Sequence, residues 1–389
     1  MTEITTQPIR IFHLLPGVAA QELSQLPGAP PAQGFYWIAC TRTAFGNDLA
    51  RLQAMLQQLT GQQLVDLHVS DLLNAQLPSH YDYTTQYDLL VVRRLAQSQA
   101  PATAPLQHGA RGGPPVLRRI DTSPVGFAVF DQVLLSVHPE DCGVRDTYAA
   151  RLLTPPAGNG TPASAAEAVV RELRTGPVPG ARLPPSSADL MLRVVNHIVD
   201  SYLDLRRELS RQLDHWQAEL LRPRTRFANW GALMQARMAL HQLDEICEDQ
   251  RAAVRAWLDA LDAWDTPDEG AALRELDLLK VRSRDVLEHI ERVVTHVRRL
   301  EHSTEAAVQM HFSVQSNRAN DIMRILTAIT AIFLPLNLIA GIFGMNFEFI
   351  PLVHQQNGFW WAMGAMGAIA MLLVALFWRK RYLARTGQG

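Results

Sequence analysis

The sequence has few cysteines, little net charge and no recognisable signal-peptide pattern in its first residues. Its three cysteines, Cys40, Cys142 and Cys247, are odd in number and far apart, which argues against a disulfide framework and suggests a reducing compartment. The formal net charge is −2, so no basic excess predicts a nucleic-acid partner. The first residues lack a basic region followed by an apolar core, and we therefore expect no signal peptide.

Enzyme motifs are also missing. The sequence contains no phosphate-binding loop, nucleophile elbow or metal-hydrolase helix, and its scattered Ser, His and Asp residues form no recognisable catalytic constellation. The thirteen histidines include none at a clear ligand spacing in the apolar segments. We therefore expect that the protein is not an enzyme.

Two apolar segments lie near the end of the chain. Residues 325–343 form a run of nineteen without a charge, about the length that a tilted or slightly thinned bilayer crossing needs. Residues 359–378 form a second uncharged run with Trp at both ends, as is typical of interfacial aromatics. The basic residues 379–381 follow at once, whereas residues 344–358 contain no Lys or Arg. The positive-inside rule thus predicts both termini in the cytoplasm and the loop outside.

One face of the first apolar segment is polar or small. Steps of three and four residues define this face, which we call the polar stripe: Asn320, Met323, Thr327, Thr330, Leu334, Asn337 and Gly341. Five of the seven are polar or small, and a spanning helix should turn such a stripe away from lipid. The residues alone leave two readings open: Thr and Asn hold helices together, or they line a water-filled path.

The rest of the chain predicts an α+β protein with one very long helix. Strand-like segments at residues 10–15, 34–41 and 89–95 and a hairpin over 126–138 indicate an α/β domain. A capping box at residues 266–269 starts a helical pattern that continues through the first apolar segment, on the order of 115 Å at ~1.5 Å per residue. The predicted order is a cytoplasmic α/β domain (1–180), a helical hairpin (186–262), a stalk helix (266–322), a first transmembrane helix (323–343), an external loop (344–358), a second transmembrane helix (359–378) and a basic cytoplasmic tail (379–389).

From Ser316 onward the sequence resembles the CorA family of magnesium channels. The matching segments are Ser316–Thr327 and Ile332–Glu348. The second contains Gly344-Met345-Asn346 directly after the first apolar segment, which is the signature of that family. The triplet stands inside a longer match, between two spanning segments at the end of the chain, and this combination makes the resemblance specific.

The resemblance implies a homopentameric funnel in a bacterial inner membrane, with several membrane passes and both termini cytoplasmic. Two spans cannot enclose a path, so an oligomer follows from the residues as well, but the number five comes from the resemblance alone. In such an assembly the long helix lines the pore and the second transmembrane helix forms an outer ring. The expected partners are further copies of the chain, the lipid bilayer and divalent cations. Magnesium is then both the transported and the regulatory ion, with no other cofactor and no nucleic acid.

The resemblance also assigns roles along the path. Asn346, together with Gly344 and Met345, corresponds to the selectivity filter, where neutral amide oxygens hydrogen-bond to a hydrated ion and still release it. Further polar steps correspond to Asn320, Thr330 and Asn337, the last at a position that is commonly Thr in the family. An apolar constriction that closes by excluding water corresponds to Met323, Leu326 and Leu334, for which plain packing is the alternative. Glu348 lies just outside the filter. It either raises the local concentration of cations or is an ordinary charged residue of the loop.

A regulatory magnesium site between subunits is the last implication. Asp71 matches an acid in a turn of the family, and Asp285 falls at the matching position of the stalk helix, with Glu288 one turn beyond. The alternative is that all three are ordinary surface acids. A further acid often seen nearer the membrane is Gln309 here, so the sequence does not support a second site of this kind.

Two other functions fit parts of the sequence. One is a zinc transporter of the related ZntB type, with or without proton coupling, although His354 alone does not make a zinc site. The other is a non-conducting, membrane-anchored coiled-coil scaffold, which would need neither a polar stripe nor Gly-Met-Asn. The sequence does not distinguish among magnesium, cobalt, nickel and zinc, and it does not give the direction of transport.

Overall fold

The computed structural model describes residues 7–15, 20–96, 120–153, 183–220, 230–264, 270–345 and 357–379. The chain divides into two compact units, Met1–Thr304 and Glu305–Gly389, and each unit is described separately. The capping box over 266–269 lies outside the described residues.

The first unit is built around a seven-stranded mixed sheet. The strands are β1 (Ile9–Leu14), β2 (Gln21–Leu23), β3 (Phe35–Thr41), β4 (His80–Tyr83), β5 (Asp88–Leu95), β6 (Thr122–Val129) and β7 (Val133–His138). Their order is β2-β1-β3-β7-β6-β5-β4. Only the β3–β7 pair is parallel among the described strands. The predicted strands and the β6–β7 hairpin are confirmed.

Three of the described helices lie between β3 and β4 in sequence, and the others follow β7. The helices are α1 (Arg42–Asn47), α2 (Leu49–Thr60), α3 (Asp66–Leu73), α4 (Gly143–Leu153), α5 (Ser187–Leu220), α6 (Trp230–Ala263), α7 (Gly270–Phe343) and α8 (Gly358–Arg379). Helix α7 has 74 residues and contains Pro335 without interruption.

Both faces of the sheet are buried, because alternate side chains of its central strands point to opposite sides and are apolar on both. On one face, Ile38 and Leu135 share a core cluster with Leu56 of α2. The neighbouring residue Trp37 is fully buried and donates from Nε1 to Ser136 Oγ at 2.8 Å. Helix α5 packs on β5, β6 and β7. The sheet thus lies between helices, in agreement with the predicted α/β class.

The start of α5 is held by a buried carboxylate. Asp189 is fully buried, and its backbone N–H donates to Ser186 Oγ at 3.4 Å, as an N-terminal cap does. Its carboxylate lies 2.9 Å from Arg193 Nε and 2.6 Å from Arg282 Nε. Because Arg282 belongs to α7, this ion pair fixes the two helices to each other at one end.

Further polar contacts set the register of the helices. His296 Nε2 lies 2.7 Å from Ser210 Oγ, and Gln217 donates to Thr304 Oγ1 at 3.0 Å. Residue numbers therefore rise together along α5 and α7, which run parallel. Trp257 of α6 donates to Ser283 Oγ at 3.0 Å, and Asp244 of α6 pairs with Arg298 of α7 at 3.2 Å, so α6 runs in the opposite direction to α7. Helices α5 and α6 therefore run antiparallel to each other.

The second unit contains the end of α7 and the whole of α8, and both helices are long and apolar enough to cross a membrane. Each has one sheltered stripe. On α7 it contains Ala328, which is 1 % exposed, and the partly buried Ala331, Ile332, Pro335, Leu336, Ile339 and Phe343. On α8 it contains Gly358, Ala362, Met366, Ile369, Ala370, Leu373 and Phe377. The remaining apolar surface is exposed, which is expected where lipid or further protein covers it.

Removal of the buried carboxylate provides a test of this packing. We expect Asp189→Asn to lower the free energy of unfolding by about 3 kcal/mol, because the two arginines lose the charge that compensates their burial. Chemical denaturation of the full-length protein, followed by the fluorescence of the buried Trp216 and Trp257, measures it. The matched control is Asp204→Asn on the same helix, whose exposed pair with Arg207 should change stability by about 0.5 kcal/mol or less. Equal effects of the two substitutions would contradict the assignment.

Candidate functional site

The polar stripe lies along α7 from Asn320 to Gly341, and every member is exposed in the chain. The apolar member Leu334 is 71 % exposed and Met323 is 65 % exposed. At 3.6 residues per turn, the polar stripe is roughly opposite the sheltered stripe of the same helix. The described part of the chain therefore leaves the polar stripe uncovered, while the other side of α7 is sheltered.

The two threonines of the stripe use their hydroxyl hydrogens within the helix. Thr327 Oγ1 donates to the Met323 carbonyl at 2.8 Å, and Thr330 Oγ1 donates to the Leu326 carbonyl at 2.9 Å. A hydroxyl that has donated its only hydrogen still has lone pairs to offer. Each threonine thus presents an acceptor oxygen without net charge, which suits the hydrogens of water molecules around a cation.

Apolar positions alternate with these acceptors. Leu326 adjoins the stripe and, with Ile322, Ile325 and Ile329, lines a shallow apolar groove of about 230 Å³. The positions predicted to form a constriction, Met323, Leu326 and Leu334, are all exposed. An arrangement of apolar positions between polar ones can exclude water when several copies bring their stripes together.

Helix α7 ends immediately before the predicted filter. The Gly344 N–H donates to the Ala340 carbonyl at 3.0 Å, and the Met345 N–H donates to the Ile342 carbonyl at 3.3 Å. These bonds satisfy two of the carbonyl groups that a helix end leaves unpaired. A Cβ atom at Gly344 would lie 3.1 Å from the Ala340 oxygen, so glycine suits this close approach. Asn346 and Glu348 lie outside the described residues.

Asp71 lies on a helix and not in the turn that the sequence predicted. The segment around it forms α3, which covers Asp66–Leu73. The carboxylate Oδ2 of Asp71 is 3.7 Å from His80 Nε2 on β4. The expected turn was wrong because His68, Val69 and Leu72 are buried with helical spacing.

Asp285 belongs to a polar cluster between α5 and α7. Its Oδ1 is 3.8 Å from His289 Nε2, and the other ring nitrogen of His289 is 3.8 Å from Asp200 Oδ1. Burial raises the pKa of Asp200; His289 opposes this, and the carboxylates of Asp285 and Asp204 add to it. A nearby cation stabilises the ionised form of a carboxyl group whose pKa is raised in this way.

Glu288 forms an exposed ion pair with Arg292, one turn further along the helix. Among the described residues, no group of three or more His, Cys, Asp or Glu side chains could hold a metal ion. The single chain therefore does not combine Asp71, Asp285 and Glu288 in one such group. Asp200 and His289 were not predicted from the sequence. The pattern that could have indicated this cluster is the pair of acids Asp200 and Asp204, one turn apart on α5.

Comparison with protein families gives one match over most of the chain. The family described as CorA-like Mg²⁺ transporter protein matches residues 32–381. The cobalt/magnesium transport protein CorA of Thermotoga maritima is 36 % identical over 100 residues, which are 26 % of this chain and 28 % of that protein. The protein of the same name from Methanocaldococcus jannaschii is 41 % identical over 71 residues, 18 % of this chain and 22 % of that protein. These matches thus span less than a third of the relatives' own lengths.

Solved structures share the fold over nearly the whole chain. The complete structure of the CorA magnesium transporter from Methanocaldococcus jannaschii covers 99 % of this chain and 99 % of its own, with a TM-score of 0.63 and 16 % identity. The full-length CmaX protein covers 97 % of this chain and 100 % of its own, with a TM-score of 0.57 and 16 % identity. This likeness confirms the predicted fold class: an α/β domain joined to a long helix and two C-terminal apolar helices.

Cysteine substitution tests whether the polar stripe contacts water. We expect Asn337→Cys to react with a water-soluble thiol reagent at least about tenfold faster than Ile329→Cys, because thiols react as thiolates and thiolates form in water. Ile329 is the matched control, since it is exposed on the same helix but lies off the stripe. The native thiols Cys40, Cys142 and Cys247 are buried and contribute little background. Similar labelling rates in liposomes would contradict a wetted stripe.

Proposed function

This chain belongs to the CorA-like Mg²⁺ transporter family, and on that premise we propose that it conducts divalent cations, magnesium above all, across the bacterial inner membrane. The observation that carries the proposal is the polar stripe: it stays exposed on a helix that is otherwise apolar enough to span a bilayer. Lipid is a poor environment for amide and hydroxyl groups. A water-filled path between copies of the chain satisfies them.

The path needs several copies, because one stripe cannot enclose a channel. We take the number as five, in keeping with the family resemblance, so that the protein is a homopentamer. Five copies of α7 then surround the axis and α8 lies outside them. The opposite positions of the polar and sheltered stripes on α7 support this arrangement, since one side is available to the axis and the other to packing.

Neutral oxygens suit the transport of magnesium. Magnesium gives up its water reluctantly, so a conducting site should hydrogen-bond to the hydration shell and leave it in place. In this proposal Asn346, with Gly344 and Met345, forms the outer filter. Asn320, Thr330 and Asn337 form further steps, and Thr327 and Gly341 complete the lining. A ring of carboxylates would bind more tightly and release more slowly.

Apolar side chains provide the closed state. Met323, Leu326 and Leu334 form rings that stop ion flow when they approach and expel water. No charged group has to move through the membrane for this transition. Glu348, at the outer mouth, raises the local concentration of cations.

Internal magnesium favours closure by joining neighbouring subunits. In this proposal Asp71 of one copy and Asp285 of the next share a hydrated ion, with Glu288 close by. The cluster around Asp285 supports the assignment, because burial and neighbouring carboxylates raise the pKa of Asp200 there and a cation would relieve that repulsion. Such a site binds weakly enough to follow the internal concentration, and it shifts the population toward the state in which it is complete.

The filter is tested by a flux measurement in liposomes. Asn346→Ala should abolish most magnesium uptake while the oligomer stays intact, because the methyl group cannot accept hydrogen bonds from the hydrated ion. Asn357→Ala, at the other end of the same loop, serves as the matched control and should retain flux. Near-normal uptake by Asn346→Ala would contradict the filter. Parallel measurements with zinc, with and without a pH gradient, separate magnesium conduction from proton-coupled zinc transport.

The regulatory site is tested by the inhibition of uptake by internal magnesium. The double variant Asp71→Ala/Asp285→Ala should need at least about tenfold more internal magnesium for half-inhibition, a shift typical of the loss of one coupled site. Asp277→Ala, on the same helix two turns earlier, is the control and should keep the original dependence. Unchanged inhibition in the double variant would exclude this pair of acids.

A further inference from the structure

A shallow groove of about 390 Å³ lies in the first unit, between α5 and α7 and outside the polar stripe. It is lined by Arg206 of α5 and by one side of α7 from Glu288 to Arg299. The lining contains three arginines and two glutamates. Glu288 is paired with Arg292, so Arg206 and Arg299 outnumber the remaining acid, Glu291.

Arg206 forms no ion pair with an acid among the residues that the structure describes. Its Nε atom is buried and has no hydrogen-bond partner. Burial and the charges of Arg207 and Arg292 lower the pKa of Arg206, and no acid is among the groups that act on it. A charged N–H group that is buried without an acceptor is costly, and the Nε atom of Arg206 is in this position although the residue as a whole is only partly buried. An anion in the groove would supply that acceptor.

His296 lies in the positive field of the groove and stays neutral there. Ser210 Oγ donates to the Arg206 carbonyl at 2.9 Å, so at 2.7 Å it accepts a hydrogen from His296 Nε2. The other ring nitrogen of His296 then carries the lone pair. Burial and the charges of Arg206 and Arg299 lower the pKa of His296, with Asp214 acting in the opposite sense. Burial alone would keep the ring neutral, but the charges of Arg206 and Arg299 act in the same direction and favour an anion in the groove.

We propose that this groove binds a small phosphate-bearing anion that contacts both helices. Arginine forks bind phosphate oxygens in pairs, and here they approach the groove from α5 and from α7. Arg292 donates to Glu288 through one terminal nitrogen and has further N–H groups to offer a ligand; it lies two turns from Arg299, or about 10 Å along the helix. This spread favours a diphosphate or triphosphate over a single phosphate group. The volume of the groove falls within the range of small-molecule sites, roughly 300–1,000 Å³.

Binding can be measured on the full-length protein without any flux. The intact oligomer in detergent, freed of divalent cations by a chelator, is titrated with pyrophosphate, inorganic phosphate and adenosine triphosphate in a calorimeter. We expect saturable binding of pyrophosphate and weaker binding of phosphate. Tighter binding of the nucleotide than of pyrophosphate would identify a nucleotide as the ligand, and the reverse order would identify a free polyphosphate.

Variants locate the site. Arg206→Gln/Arg299→Gln should weaken pyrophosphate binding roughly a hundredfold, since the charge-assisted hydrogen bond lost at each of the two positions contributes about a factor of ten. Arg207→Gln is the matched control, because this neighbour on α5 is exposed and pairs with Asp204. If the double variant does not assemble, Arg299→Lys keeps the charge but removes the planar fork and should still weaken binding. Absence of saturable binding, or equal affinity in Arg206→Gln/Arg299→Gln and Arg207→Gln, would overturn the proposal. Because no ion flux is measured, neither result supports or contradicts the transport proposal.

Discussion

The structure depends on one constraint: the single helix α7 has to be stable in two different surroundings. In the first unit it is held by polar contacts such as Arg282–Asp189 and His296–Ser210. In the second unit, from Ile322 to Phe343, its exposed surface is largely apolar and requires lipid or protein around it. Polar atoms on that part must be satisfied inside the helix or beside water. Thr327 and Thr330 meet both conditions, since each hydroxyl donates to its own helix and its oxygen remains an acceptor.

Most of the architecture could be predicted from the sequence, because strong periodic patterns decide it. The β-branched and aromatic runs of β3, β5 and β7 predict buried strands, and the absence of Gly and Pro between residues 270 and 335 predicts a long helix. The polar stripe could be predicted as well, since it depends only on steps of three and four residues along one helix. The structure adds that the stripe lies opposite the sheltered side of α7.

Features that depend on contacts between distant segments could not be predicted in this way. Asp200 lies beside His289 and so near Asp285 because α5 and α7 run parallel in a fixed register, and no local pattern specifies that register. The burial of Asp189 and the convergence of Arg206 with Arg299 have the same origin. The helical state of the segment around Asp71 was missed because a short helix of eight residues has too few turns to show its period.

Pro335 has a consequence for the mechanics of α7. Proline has no N–H, so the carbonyl of Ala331 receives no backbone hydrogen bond from it, and the ring crowds that carbonyl. A straight helix resists bending almost uniformly, but here the stiffness has a local minimum. It falls directly after Leu334 and two residues before Asn337. Small changes in the bend angle at Pro335 would tilt the part of α7 that follows it, while the part that precedes it keeps its orientation.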